Sequence, residues 1–147
     1  MKLAVLLVAI AACAPPPPPQ PPKPHRLGDQ MIEVGMRFAR AANAVVAGRW
    51  ELADYDVDEL RELFEAFEPA QWKGNAEETR IAREFGRDNL AALLAATKAH
   101  DRAAFDRELA RAADVCNACH KAGGKDYIEV AGVAGAEMPL VSTRIRK

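Results

Sequence analysis

Between residues 27 and 121, apolar positions recur at alternating steps of three and four, the spacing that gathers side chains on one face of a helix. In residues 27–48 the stripe is Met31, Gly35, Phe38, Ala42 and Val45, and Gly48 is a natural C-terminal stop. The second stripe, in "DYDVDELRELFEAFEP", is Val57, Leu60, Phe64 and Phe67, with Asp56 placed to cap the helix and Pro69 to end it. The third segment begins "NAEETR", where Asn75 followed by Glu78 reads as a capping box, and its apolar side is Ile81, Phe85, Leu90, Leu93 and Leu94. The fourth runs from Asp101 to about Lys121, with Phe105, Leu109, Ala112, Cys116 and Cys119 on one face and Gly123 and Gly124 at its end.

No strand pattern competes in this region, and the connections are short. Consecutive helices are then antiparallel neighbours, so the expected fold is all-α, an antiparallel up-down-up-down four-helix bundle over residues 27–122. The remaining residues, 123–147, are apolar enough to pack on the bundle and are expected to be partly ordered. A length of 147 residues is compatible with one domain. A formal net charge of −1 gives no global pointer to nucleic acid. Three cysteines are too few for a disulfide framework, so their placement has to be explained otherwise.

Two of the three fall in "VCNACHKAGG", where Cys116, Cys119 and His120 form C-x-x-C-H, the attachment signature of a c-type haem. Each thiol can form a thioether to one vinyl group while the His120 imidazole binds the iron. Zinc in a structural site takes four protein ligands, and the chain has no second cysteine pair. A redox dithiol belongs at a helix N-terminus in a βαβ setting, whereas this pair lies near a predicted C-terminus. One covalent haem c is therefore the expected cofactor.

The third cysteine sits at the end of a leader-like segment. Lys2 and the apolar run from Leu3 to Ile10 are too short to span a bilayer as a helix and read as a signal peptide over residues 1–12. The run ends "IAAC", which resembles a bacterial lipobox and implies cleavage before Cys13 and lipidation of that residue. An ordinary secretory cleavage nearby is the alternative. Eight prolines between Pro15 and Pro24 form a semi-rigid polyproline spacer, so residues 13–26 read as a lipidated stalk. Export suits haem c, whose attachment in bacteria takes place outside the cytoplasm. The expected location is the periplasm, anchored to a membrane, with periplasmic or membrane redox partners.

A four-helix bundle with C-x-x-C-H near the end of its last helix resembles the class II cytochromes c, which include the cytochromes c′ and their low-spin relatives. The resemblance covers about residues 28–122 and rests on the motif and its late placement. The front half, "GDQMIEVGMRFARAANAVVAGRWELADYDVDEL", is also similar to a group of exported haem-motif proteins that share the methionine, Ala-Gly, Trp, Leu-Ala-x-Tyr and Asp-Glu-Leu series. Those proteins commonly carry a histidine after the arginine, where this chain has Phe38 after Arg37.

Function turns on the sixth iron ligand. In an alternating bundle the start of the first helix lies beside the end of the fourth, so Met31, in the first turn of its helix and at the head of its stripe, is the candidate, with Phe38 farther along the same cofactor-facing side. Met36 is five residues away, a rotation of about 140°, and cannot face the same iron. His100 precedes His120 by about 30 Å of helix and belongs at the opposite end as a surface loop residue. Met138 in the tail is the main rival. Trp72 and Lys73 are placed to cover the haem edge and to neutralise a propionate. Asp54, Asp56, Asp58, Glu59, Glu62, Glu65 and Glu68 make an acidic run, read first as a solvated face and otherwise as a docking site for a basic partner.

With His120 and Met31 as ligands the protein is an electron carrier, since a thioether ligand raises the reduction potential. With an open sixth position it binds or senses nitric oxide or carbon monoxide. An enzyme is the weakest reading, because the stripe of Met31, Gly35 and Phe38 offers no histidine or carboxylate. Association into a homodimer is left open.

Overall fold

The computed structural model describes residues 27–66, 74–132 and 141–143, and these are mostly helical. The elements are α1 (Leu27–Val46), α2 (Trp50–Glu65), α3 (Ala76–Glu84), a π-helical turn (Phe85–Asn89), α4 (Leu90–Lys98) and α5 (Arg102–Ala122). Two short strands, β1 (Ile128–Val130) and β2 (Val141–Thr143), pair antiparallel with Ile128 opposite Thr143 and Val130 opposite Val141. The body of the protein is helical, as expected, and the tail, expected only to be partly ordered, adds the two short strands. There the β-branched residues of "IEV" and "VST" suit an extended ladder better than a helix. No helix of the described residues is long and apolar enough to cross a membrane.

Residues 76–98 form a continuous helical rod with one irregularity, a step that the spacing of apolar residues accommodates. The apolar steps run from Ile81 to Phe85 and then five residues to Leu90, one more than an α-helix can absorb while keeping both on one face. The π-helical turn takes up the extra residue. Phe85 and Leu90 are consequently both buried. Gly86 lies within the turn against α2, where an added Cβ would sit 2.9 Å from the Phe64 Cβ. That close approach lets the Phe64 and Phe85 rings pack with centroids 4.7 Å apart.

Helix ends follow the local chemistry. Asn75 Oδ1 accepts from the Glu78 amide at 2.9 Å, while the Glu78 carboxylate accepts from the Asn75 amide at 2.8 Å, completing the capping box. Three helices close alike, with a residue of positive φ one step past the cap and paired amides reaching back. Gly48 (φ 70°) does this for α1, His100 (φ 51°) for α4 and Gly124 (φ 68°) for α5. A histidine is unusual there, and His100 lies flat on Trp50, with ring centroids 5.2 Å apart and planes 8° off parallel. It is exposed in the α4–α5 turn, where a surface loop residue was expected.

The largest fully buried side chains include Phe105, Leu60, Leu90, Leu93 and Leu109, from α2, α4 and α5. These helices contact one another in series, and α1 packs chiefly on α2. Small side chains permit that close contact: Ala39, Ala41, Ala42, Ala44 and Val45 are buried on α1, opposite Ala53 and Val57 of α2.

Asp56 is not the cap of α2. The helix begins six residues earlier, at Trp50, and Asp56 is fully buried inside it. Arg40 of α1 holds both its oxygens, with Nε at 2.6 Å from Oδ2 and Nη2 on Oδ1. Arg37 adds an ion pair to Asp56 at 3.5 Å and another to Glu59 at 3.0 Å. Of the acidic run, Asp56 alone is buried among the described residues; Glu62 and Glu65 are exposed, Asp54, Asp58 and Glu59 are partly so, and Glu68 lies outside the described residues. Asp58 and Glu65 pair with Arg61, and Asp54 accepts from the Thr97 hydroxyl at 2.9 Å. Fully buried carboxylates are rare without a partner. Asp56→Ala should destabilise the protein by about 3 kcal/mol in urea unfolding, the low end for removing one partner of a buried pair because Arg40 can turn to water. A change below about 0.5 kcal/mol would show that the pair does not clamp α1 to α2.

Candidate functional site

A cavity of about 540 Å³ lies between the start of α1 and the end of α5, a volume within the range of small-molecule and cofactor sites. Met31, Val34, Gly35 and Phe38 line it from α1, Ile81, Ala82 and Phe85 from the α3 rod, and Val115, Cys116, Cys119 and His120 from α5. Ile128 and Val130 of β1 complete the wall. At about 100° per residue, Cys116, Cys119 and His120 span about 100° of the helix circumference, so one end of one helix presents all three to a single space.

His120 sits in the last turn of α5, and the tail determines its chemistry. Past Ala122 the Gly123–Gly124 turn reverses the chain, with the Lys125 amide donating to the His120 carbonyl at 2.7 Å. The reversed segment brings the Ile128 carbonyl to 3.2 Å from His120 Nδ1. A carbonyl can only accept, so the ring proton resides on Nδ1 and Nε2 keeps a free lone pair. Burial pushes the His120 pKa below its ordinary value, the Ile128 hydrogen bond working against that, and nearby Lys125 adds to the lowering. The ring is therefore neutral at pH 7, as a metal ligand must be.

Neither thiol is activated. Burial, and secondarily the neighbouring Cys119, pushes Cys116 up to about 12. Burial and the Glu78 charge also raise Cys119, against a lowering by Lys125. Redox dithiols need the opposite, a thiolate favoured by a helix N-terminus or a cation, whereas these lie at the negative end of α5. Among the described residues, no group of three or more His, Cys, Asp or Glu is arranged to hold a metal ion. The thiol environments weigh against the dithiol reading.

Of the residues singled out in the sequence, Met31, Phe38, Cys116, Cys119 and His120 converge on this cavity. Met31 is the fifth residue of α1, one turn deeper than expected, and half-buried. Met36 also touches the cavity, from a position 55% exposed. Cys13, Trp72, Lys73 and Met138 lie outside the described residues.

Sequence reasoning missed two charged neighbours. Glu78 lines the cavity, so the space does contain a carboxylate. It is committed to the α3 cap and pairs with Lys125 at 3.3 Å. Lys125 also lines the cavity. The capping box marked Glu78 as a helix start, but only the close return of Gly123 shows that it faces α5. A Cβ at Gly123 would fall 2.0 Å from Glu78 Oε1. Asn75 ties the same corner, donating from Nδ2 to the Ala122 carbonyl at 2.9 Å.

No protein-family model, curated protein or solved structure matches this chain.

The thiol environments yield a test. With both thiols free, Cys119 should react with iodoacetamide ahead of Cys116. The Cys116 rate should climb about tenfold per pH unit from pH 7 to 9, because well below its pKa the thiolate is a minor species whose population follows hydroxide. Fragment-ion mass spectrometry of timed samples separates the two sites. Rapid labelling of Cys116 at pH 7 would instead indicate an activated thiol and revive the redox reading.

Proposed function

We propose that this protein is an exported monohaem c-type cytochrome that carries electrons. In this reading it is an alternating four-helix bundle with the haem attached near the end of α5. One observation carries the proposal: both cysteines and the histidine of C-x-x-C-H open on one apolar cavity, with Met31 on its α1 wall. That the start of α1 and the end of α5 share this cavity supports the up-down-up-down course.

The residues fit the group that the motif implies. Cys116 and Cys119 would hold haem c through two thioethers, and His120 Nε2 would bind the iron. When bound, haem c supplies a one-electron ferric/ferrous couple. Phe38, Val34, Ile81, Phe85 and Val130 exclude water, which lowers the local dielectric and makes each nearby charge count for more. The Ile128 carbonyl orients His120 and raises its basicity. Met31 offers a thioether that would favour the ferrous state.

The spectrum decides between carrier and gas binder. Protein matured with haem-attachment machinery should stay red after acid–acetone extraction, and the double change of Cys116 and Cys119 to alanine should release the pigment. The oxidised protein should be low-spin and show the weak near-infrared sulfur-to-iron band. Met31→Ala should abolish that band, turn the haem high-spin, open it to carbon monoxide and lower the potential, while Met138→Ala should do none of these. Freely extracted haem defeats the proposal. A wild type already high-spin and open to carbon monoxide favours the gas-binding reading, in which Gly35 beside Met31 leaves room for a small ligand.

The tether is a separate part of the proposal and rests on Cys13 and the proline-rich stalk. Cys13→Ser should move the protein from the membrane to the soluble periplasmic fraction without changing its haem spectrum. A wild type that is already soluble would leave only a conventional signal peptide.

A further inference from the structure

The segment after α5 turns back along it and is fastened by a side chain the haem motif treats as filler. Asn117 is the first of the two residues between the cysteines, directly after Cys116. Its side-chain amide grips the backbone of Val130 at both ends: Nδ2 donates to the Val130 carbonyl at 3.0 Å, and Oδ1 accepts from the Val130 amide at 2.8 Å. In this way the amide takes the place of a neighbouring strand. Asn117 and His120 are three residues apart on α5, about 4.5 Å along the helix axis and on one side of it. Val130 and Ile128 are two residues apart on the returning strand, about 6.6 Å. The two spacings are close enough that gripping Val130 sets the Ile128 carbonyl against the His120 ring, where it accepts from Nδ1 at 3.2 Å. A second fixture lies just beyond the grip. Gly132 runs so close to α5 that an added Cβ would be 2.6 Å from the Ala110 Cα.

We infer that Asn117 is a positioning residue that sets the electron donation of His120 through the C-terminal strand. The inference rests on the haem reading above. A hydrogen bond from Nδ1 makes the imidazole a stronger donor to iron and favours the ferric state, so its loss should raise the reduction potential. The tail would then be part of the redox centre rather than a cover over it.

The test uses the full-length, haem-loaded protein. Asn117→Ala should retain covalent haem, shift the potential upward in spectroelectrochemical titration, and speed solvent exchange of the His120 Nδ1 proton in the NMR spectrum. Asn117→Asp keeps the acceptor for the Val130 amide and loses the donor, so it should restore part of both properties. Gly132→Val lifts the strand without touching Asn117 and should shift both readouts in the same direction as Asn117→Ala. It also decides the matter should Asn117→Ala fail to mature. Retained haem with unchanged potential and unchanged proton exchange in Gly132→Val and in every Asn117 variant that matures overturns this inference alone. Absence of covalent haem from the wild type overturns the haem reading and this inference with it.

Discussion

The buried Asp56 carboxylate sets where α1 can lie. It is fully enclosed in α2, and Arg40 and Arg37 of α1 meet it there, so α1 is tied to α2 at mid-length. Around that tie the alanines of α1 and α2 close to short range. The earlier part of α1 then stands against the cavity instead of against α5. Met31, Val34, Gly35 and Phe38, which would otherwise be ordinary core residues, become a wall facing Cys116, Cys119 and His120.

The second constraint is the turn after α5. Gly124 takes the left-handed conformation that a reversal of this kind requires, and Gly123 passes so near the Glu78 carboxylate that a side chain there would push that carboxylate aside. The chain can then return along the helix it has just left. Three fastenings follow at one end of the molecule: Asn75 to Ala122, Lys125 to Glu78, and Asn117 to Val130. His120 sits among them with its Nδ1 proton engaged and its pKa lowered by burial. In the proposed cytochrome this cluster would fix the tautomer and orientation of the iron ligand before any cofactor arrives.

Much of this was legible in the sequence because helices advertise themselves locally. Step lengths of three and four located the helical stripes, the Asn75–Glu78 pair marked a cap, and Gly48 and the Gly123–Gly124 pair marked ends. The C-x-x-C-H spacing sufficed to place Cys116, Cys119 and His120 together on α5. The π-helical turn at Phe85–Asn89 was not read from the sequence, although the five-residue step from Phe85 to Leu90 is consistent with it. The tail's two strands were less legible, because runs of three residues carry too little periodicity to separate a strand from a loop.

What the tertiary structure decided were the contacts between residues far apart in the chain. Asp56 looked like a cap because caps and buried ion-pair partners use the same residue type. Only the presence of Arg40 across the α1–α2 contact tells them apart. Glu78 was legible only as the partner of the Asn75 cap, and Lys125 carried no signal, until the reversal after α5 set them 3.3 Å apart at the cavity wall. The His120 tautomer depends on a backbone carbonyl, which no side-chain pattern records. Local pattern determined which helices form and which residues could carry chemistry. Their burial, pairing and protonation depend on long-range packing, and that is set only when the helices and the returning strand meet.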